Sequence, residues 1–302
     1  EMDEARSRLA SYLGVATDEL SFGPSTTQNT YVLAQAFRQH LSPGDAIVVT
    51  NQDHEANSGP WRRLADAGIM VREWQVDSAS GSLDRADLAA LLDERVKLVC
   101  FPHCSNLVAE FNPVEDIVAM ARAVGAYTCV DGVSYAPHGL PDVGQLGADI
   151  YLFSSYKTYG PHQGIMVIRR QRAEALPNQG HYFNADCLYK RFTPAGPDHA
   201  QVAACAGMVD YVETLYSHHC GDGAEGAALG GEVRRLISGY ETELLQPLLD
   251  YIEQKPGLRL LGPADASRRA PTVSIMCEEP AEALAVKLAR KHIIAGCGDY
   301  YA

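Results

Sequence analysis

Lys157 directly follows the apolar run DIYLFSSY. A lysine emerging there is expected to be partly desolvated, which makes an amine a competent Schiff-base nucleophile. Asp131 closes a second apolar run, AYTCVD. A carboxylate leaving a buried strand must find a cation or several donors. Set against a pyridinium nitrogen, it would keep the ring protonated and electron-poor, as an electron-sink cofactor requires. Ser25, Thr26 and Thr27 stand where LSFG turns into a helix. Backbone N–H groups, the positive end of the helix dipole and three hydroxyls together suit a phosphate dianion. His54 can stack on a heteroaromatic ring, and Asn106 can hydrogen-bond a phenolate oxygen. Each residue alone also has an ordinary reading: a surface lysine, a turn former before Gly132, helix N-caps.

The elements around them decide how to combine these residues. From residue 20 to about 170 apolar strands alternate with amphipathic helices: LSFG, DAIVVT, IMVREWQV, KLVCFPH, AYTCVDGV and DIYLFSSY, then a short hairpin-like GIMVIRR. That alternation predicts an α/β fold, a mostly parallel sheet with helices on both faces. In such sheets ligands bind beyond the carboxyl ends of the strands. PSTTQNT, NQDHEAN, PHCSN, DGVSYAPH and SYKTYGPHQG each follow a strand, so polar residues gather at one sheet edge. Phosphate seat, stacking ring, phenolate partner, pyridinium partner and Schiff-base lysine occur in that order. The set describes pyridoxal 5′-phosphate (PLP).

After residue 175 long helical patterns take over, HAQVAACAGMVDYVETLY and EVRRLISGYETELLQPLLDYIEQ, with apolar residues three and four apart. The Gly-rich GDGAEGAALGG at 221–231 reads as a surface loop. LRLLGP, APTVSIMC, PAEALAVKLARKH and a strand-like IIAGC complete the chain. The expected organisation is a large cofactor-binding domain over 1–175, a helical hinge and interface region over 176–230, and a small C-terminal α/β domain over 231–302.

Lys plus Arg total 25 against 38 Asp plus Glu, a net charge of −13 that argues against nucleic acid and anionic membrane as partners. No apolar run approaches the ~20 residues of a bilayer span. The opening EMDEARSRLASYLG reads as an amphipathic helix rather than a signal peptide, and Glu1 in place of an initiator Met suggests the interior of a longer chain. Several of the eight cysteines (Cys100, Cys129, Cys277) sit in strand-like runs, as suits free thiols in a reducing, cytoplasmic compartment. His103-Cys104 and His218-His219-Cys220 lack zinc-ligand spacing, so no metal is expected. A nucleotide-binding reading lacks both G-x-G-x-x-G and G-x-x-x-x-G-K-[ST].

The sequence is similar to the class V aminotransferase family of fold-type I PLP enzymes, in its cysteine desulfurase and selenocysteine lyase branch. QDHEANSGPW resembles the acidic-His-His-x-Asn…Pro-Trp segment, which implies that His54 lies over the cofactor ring. HCSNLVAEFNPVEDI resembles H-x-S-N…G-x-x-x-P and gives Asn106 the phenolate oxygen. VDGVSYAPH resembles V-D-G-A-Q-x-x-P-H and gives Asp131 the pyridine nitrogen. SSYKTYGP resembles S-x-H-K-x-x-G-P, giving Lys157 the Schiff base and Ser154 a phosphate contact, while STTQNT matches the G-T-T-x-x-x phosphate loop. The resemblance implies a seven-stranded-type sheet, a smaller C-terminal domain, and a homodimer with active sites at its interface.

The departures are specific. Ser134 stands where glutamine is usual near the phenolate, Tyr156 where a histidine precedes the lysine, and Gly196 at the threonine position of R-F-x-x-G-T-P. Within IIAGCGDYYA, Tyr301 falls at the desulfurase cysteine and Gly296 where arginine is common. The family's N-terminal segment and its C-terminal portion with the substrate-carboxylate arginine are missing. The resulting expectation is a cytoplasmic PLP enzyme using Lys157, His54 and Asp131 on an α-amino acid, by desulfurase-like elimination or lyase chemistry, with a sulfur acceptor as further partner. Aminotransferase or epimerase-type carbanion chemistry, and a PLP-binding homologue without turnover, are the alternatives.

Overall fold

The structure is a computed structural model and describes residues 1–298 and 300. The chain runs α1 (Met2–Tyr12), β1 (Leu20–Gly23), α2 (Thr26–His40), β2 (Ala46–Thr50), α3 (Glu55–Arg62), β3 (Met70–Trp74), α4 (Arg85–Leu91) and β4 (Val96–Pro102). It continues through α5 (Val114–Ala123), β5 (Tyr127–Asp131), α6 (Val143–Leu146), β6 (Ile150–Ser154), β7 (Gly164–Ile168), α7 (Arg170–Ala175), α8 (His199–Ala204) and α9 (Ala206–His219). The last elements are α10 (Gly226–Glu253), β8 (Leu258–Leu261), β9 (Ser274–Cys277) and α11 (Ala281–Ala289).

Seven strands form one sheet in the order β1-β7-β6-β5-β4-β2-β3. β2 to β6 pair in parallel, and β7 runs antiparallel to both β6 and β1. β2, β6 and β7 are buried at every residue, because helices cover both faces. Side-chain alternation divides the core accordingly. Ile47, Val49, Ile150 and Leu152 pack with Leu33, Phe37 and Trp61 of α2 and α3. Val48, Tyr151 and Phe153 point the other way, toward Leu9 of α1, Ile117 of α5, Val209 of α9 and Val233 of α10. Between β2 and β4 the partner of Ala46 is Val96 and that of Ile47 is Leu98, so Lys97 is an extra residue that bends β4 at its start.

Three expectations past residue 175 are corrected. The Gly-rich 221–231 is not all loop, because α10 begins at Gly226 and runs unbroken through 230 and 231. Gly226 lets the helix start close against α1, where a Cβ would lie 2.6 Å from Ser11 Oγ. The single helix expected around residues 199–216 is two, α8 and α9, meeting at Cys205. IIAGC is not a strand. Among the described residues β8 and β9 pair only with each other, and Ile293 and Ile294 are exposed. Without a sheet edge to join, β-branched residues alone do not make a strand.

Candidate active site

Parallel pairing aligns the carboxyl ends of β2, β4, β5 and β6 at one sheet edge. The register Gly23↔Gly164 and Ser154↔Gly164 brings the end of β1 there too. A cavity opens at this edge, with about 540 Å³ of empty space including its mouth. Ser25, Thr26, Thr27, His54, Asn106, Asp131, Ser134, Ser154, Tyr156 and Lys157 all line it. Asp53, Ala56, Cys104 and Val133 complete the wall.

One end of the cavity is the N-terminus of α2. Ser25 caps the helix, its Oγ accepting from Gln28 N–H at 3.1 Å. The Thr26 and Ser154 hydroxyls share a 2.8 Å hydrogen bond that ties the helix start to the exit of β6. First-turn N–H groups have no intrahelical acceptor, so this end can receive an anion. Gly164 lets the β strand lie directly beneath it: a Cβ there would stand 2.4 Å from the Ser25 carbonyl carbon and 2.6 Å from Thr26 N.

Asp131 and Asp53 bring two buried carboxylates to the cavity. Asp131 Oδ1 accepts from Val133 N–H at 2.7 Å. Burial pushes this carboxyl up to about 6, against the lowering effects of that hydrogen bond and of the Lys157 charge. Asp53 accepts from His54 N–H at 2.9 Å and from Asn57 Nδ2 at 2.7 Å, while Asn57 is itself held by Trp61 Nε1 at 3.0 Å. Burial, and then the nearby Asp131, push the Asp53 carboxyl up as well. His54 caps α3, its Nδ1 accepting from Ala56 N–H at 3.0 Å. Burial and the Lys157 charge lower its pKa, so the ring is neutral at physiological pH with its proton on Nε2.

Lys157 lies on a short 3₁₀ turn, Ser155–Lys157, after β6 and is exposed. The expected desolvation is absent because the lysine stands beyond the strand, at an open cavity. The Tyr156 ring stacks on His162 at 4.6 Å and 3°, and Ser134 is half-buried. Asn106 Nδ2 donates to the Tyr300 carbonyl at 3.1 Å, and its Oδ1 is buried without a partner among the described residues. Such an orphan is what a ligand or a rotated amide would satisfy. Cys104 is buried, its thiol donating to the Ala109 carbonyl at 3.3 Å, and burial pushes it up to about 12. It is a neutral wall residue, not a nucleophile.

Asp53 is the residue the sequence reading passed over. Its signal was present in D-x-x-x-N, since Asp53 and Asn57 bond to each other across one helical turn. A Cβ on Gly296 would lie 1.7 Å from the Tyr300 hydroxyl, so a side chain there requires the Tyr300 ring to move. Cys297 is exposed, and Tyr301 lies outside the described residues. Together the cavity offers an anion seat set close on Gly164, an amine, a neutral imidazole and a carboxylate, with an Asn106 amide that, rotated, would turn a donor into the cavity. That donor set fits a phosphorylated pyridine aldehyde.

Residues 1–198 match the family described as aminotransferase class-V. An aminotransferase-like protein of Gibberella zeae is 33% identical over 281 residues, covering 91% of this chain and 66% of that protein. A cysteine desulfurase of Serratia proteamaculans is 31% identical over 281 residues, covering 88% of this chain and 65% of its own length. The chain thus spans just under two-thirds of these relatives. The apo cysteine desulfurase of Thermococcus onnurineus NA1 has the same fold, with a TM-score of 0.79 over 100% of this chain and 74% of that one at 24% identity.

Proposed function

Because this chain belongs to the class-V aminotransferase family, we propose that it is a PLP-dependent enzyme acting on an α-amino acid by desulfurase-like lyase or elimination chemistry. The observation that carries this reading is the convergence of Lys157, Asp131, His54 and the start of α2 on one cavity. When bound, PLP supplies an electron sink for the bonding electrons released at the substrate's α-carbon. Lys157 would supply the amine that holds the cofactor and would take and return a proton at that carbon. Asp131 has Oδ1 engaged by Val133 N–H, leaving Oδ2 to accept from a ring N–H⁺. That cation offsets the desolvation which burdens the carboxylate in an empty site. His54, neutral and fixed by Ala56 N–H, presents a flat ring for stacking. Ser25, Thr26, Thr27 and Ser154 would hold the phosphate, and Asn106 and Ser134 would serve the phenolate oxygen, with Tyr156 beside Lys157.

The amino-acid substrate, a sulfur acceptor, a homodimer with active sites at its interface and a cytoplasmic location belong to the same reading. So does a division into a large domain and a smaller C-terminal one, although the boundary expected at 230/231 falls inside α10. No described helix is long and apolar enough to cross a membrane. The test is borohydride reduction of the PLP-loaded protein followed by peptide mass mapping, with a panel of amino acids scored by spectral shift and product mass. The expected adduct lies on Lys157 and is lost in Lys157→Ala, while PLP is still retained through its phosphate. A reducible adduct on another lysine, or no PLP uptake, overturns the assignment.

A further inference from the structure

Gln52 lies two residues before His54 at the exit of β2 and is 4% exposed. Its Nε2 donates to Glu110 Oε2 at 3.0 Å and to the Gly81 carbonyl at 2.9 Å. Its Oε1 accepts from Asn112 Nδ2 at 2.8 Å, and its carbonyl accepts from Ser105 Oγ at 3.4 Å. Ser105 Oγ also accepts from the N–H groups of Leu107 and Val108, each at 3.3 Å, and so closes the turn that carries Asn106. Across the base of that hairpin, Ser105 N–H donates to the Glu110 carbonyl at 3.1 Å. The β2–β4 ladder ends at Val48↔Val99. Beyond it, the segments bearing His54 and Asn106 are joined through the hydrogen bonds of Gln52.

We propose that Gln52 is a positioning residue that sets the spacing of His54 and Asn106 across the PLP site, acting through Glu110 and Asn112. The inference rests on the PLP reading. An amide is suited to this place because it donates to a carboxylate while accepting from another amide. A methionine there would fill the space but leave Glu110 and Asn112 each short of a buried partner. A carboxylate would keep the Asn112 bond but face Glu110 with like charge. Exchanging the two groups, Gln52→Glu with Glu110→Gln, reverses the polarity of the Glu110 hydrogen bond and preserves that of Asn112, while the Gly81 carbonyl loses its donor in both variants.

The experiment titrates PLP into the PLP-depleted protein, reading the affinity and the visible band of the bound cofactor, with Lys157 trapping by borohydride as a parallel readout. Gln52→Met and Gln52→Glu should each weaken PLP binding about tenfold or more and shift the band, with Lys157 still trapped. The exchanged pair should bind PLP at least about threefold more tightly than Gln52→Glu alone, short of wild type by the lost Gly81 bond, a coupling that independent sites do not give. Thermal unfolding of the PLP-free proteins reports folding separately; should Gln52→Met not fold, Gln52→Glu against the exchanged pair decides. Wild-type affinity and band in Gln52→Met, even with a lowered Tm, overturn the proposal, as does a loss in Gln52→Glu that the exchange does not relieve. A wild-type protein that takes up no PLP overturns the cofactor reading, and this inference with it.

Discussion

Replacing Asp131 by asparagine should stabilise the PLP-free protein while disabling it. Burial holds this carboxyl at about 6 against an ordinary 3.8, so in the PLP-free fold it keeps its proton to higher pH than in the unfolded chain. The folded state then binds more protons than the unfolded chain between those values. Stability from this group is complete below pH ~4 and is lost as pH rises through ~6. At ~1.4 kcal/mol per pH unit, the loss amounts to ~3 kcal/mol by neutral pH. The Asp131→Asn protein keeps an oxygen for Val133 N–H but has no charge to bury. It also relieves Asp53, whose carboxyl Asp131 pushes up. His103, stacked on Tyr135 and held at about 3 by burial, makes an opposite contribution, present above pH ~6.5 and lost as pH falls toward its folded value. It is common to both proteins and cancels in their difference. Urea unfolding of the two PLP-free proteins from pH 4 to 7.5 should therefore show the variant gaining ~3 kcal/mol on wild type as pH rises. With PLP bound, the same variant should exchange the substrate α-proton slower by orders of magnitude, each tenfold being ~1.4 kcal/mol. Parallel stability curves, or wild-type exchange rates, would refute the reasoning.

Gly164→Ala should displace the start of α2, since its Cβ would meet backbone atoms of Ser25 and Thr26 at 2.4–2.7 Å; we expect PLP affinity to fall at least tenfold (~1.4 kcal/mol), measured by equilibrium titration, and an unchanged affinity would count against the phosphate seat. Cys297 is exposed and lies four residues before Tyr301, the position at which the sequence resemblance expects the desulfurase cysteine. Sulfide release from L-cysteine with reductant should be slow or absent and little changed by Cys297→Ser; fast release abolished by that substitution would identify Cys297 as the sulfur-accepting thiolate.

The site was legible in the sequence wherever a reactive side chain follows directly on a buried strand. Asp131 and Ser154 are the last residues of β5 and β6, and Lys157 follows one turn later, so strand periodicity alone carried them to a common edge. Asp53 was passed over although its partners His54 and Asn57 are local, whereas Gln52 was harder to read because its partners lie elsewhere. Gln52 meets Glu110 58 residues away and Asn112 60 away, and no local pattern announces such a pairing. Composition misled at 221–231, where Gly226, which looks like a loop residue, instead permits the helix to start close against α1. It misled again at Ile293 and Ile294, whose β-branched chains suggest a strand that has no neighbour to pair with. Lys157 shows the limit of reading environment from sequence: the apolar run before it is buried, but the residue beyond its end is exposed.

The C-terminal elements reach the cavity through backbone rather than through side chains that line it. The hairpin carrying Asn106 is held by Ala270 N–H on the Ala109 carbonyl at 3.0 Å, and its Phe111 N–H donates to the Arg268 carbonyl at 3.1 Å. Ser274 Oγ donates to the Leu107 carbonyl at 2.6 Å. Arg269, buried between these contacts, donates to the carbonyls of Leu261, Pro263 and Thr272, so the segment that grips the hairpin is itself held in one shape. On the opposite side Gln52 bonds the same hairpin to the exit of β2. Ala109 sits in it with φ of +62°, a left-handed conformation that costs a non-glycine residue ~1 kcal/mol. Contacts on both sides over-determine that conformation, which is how a strained turn persists. Asn106 therefore responds to two bodies at once, and a change in the C-terminal elements can move the Asn106 side of the cavity without altering any residue of its wall.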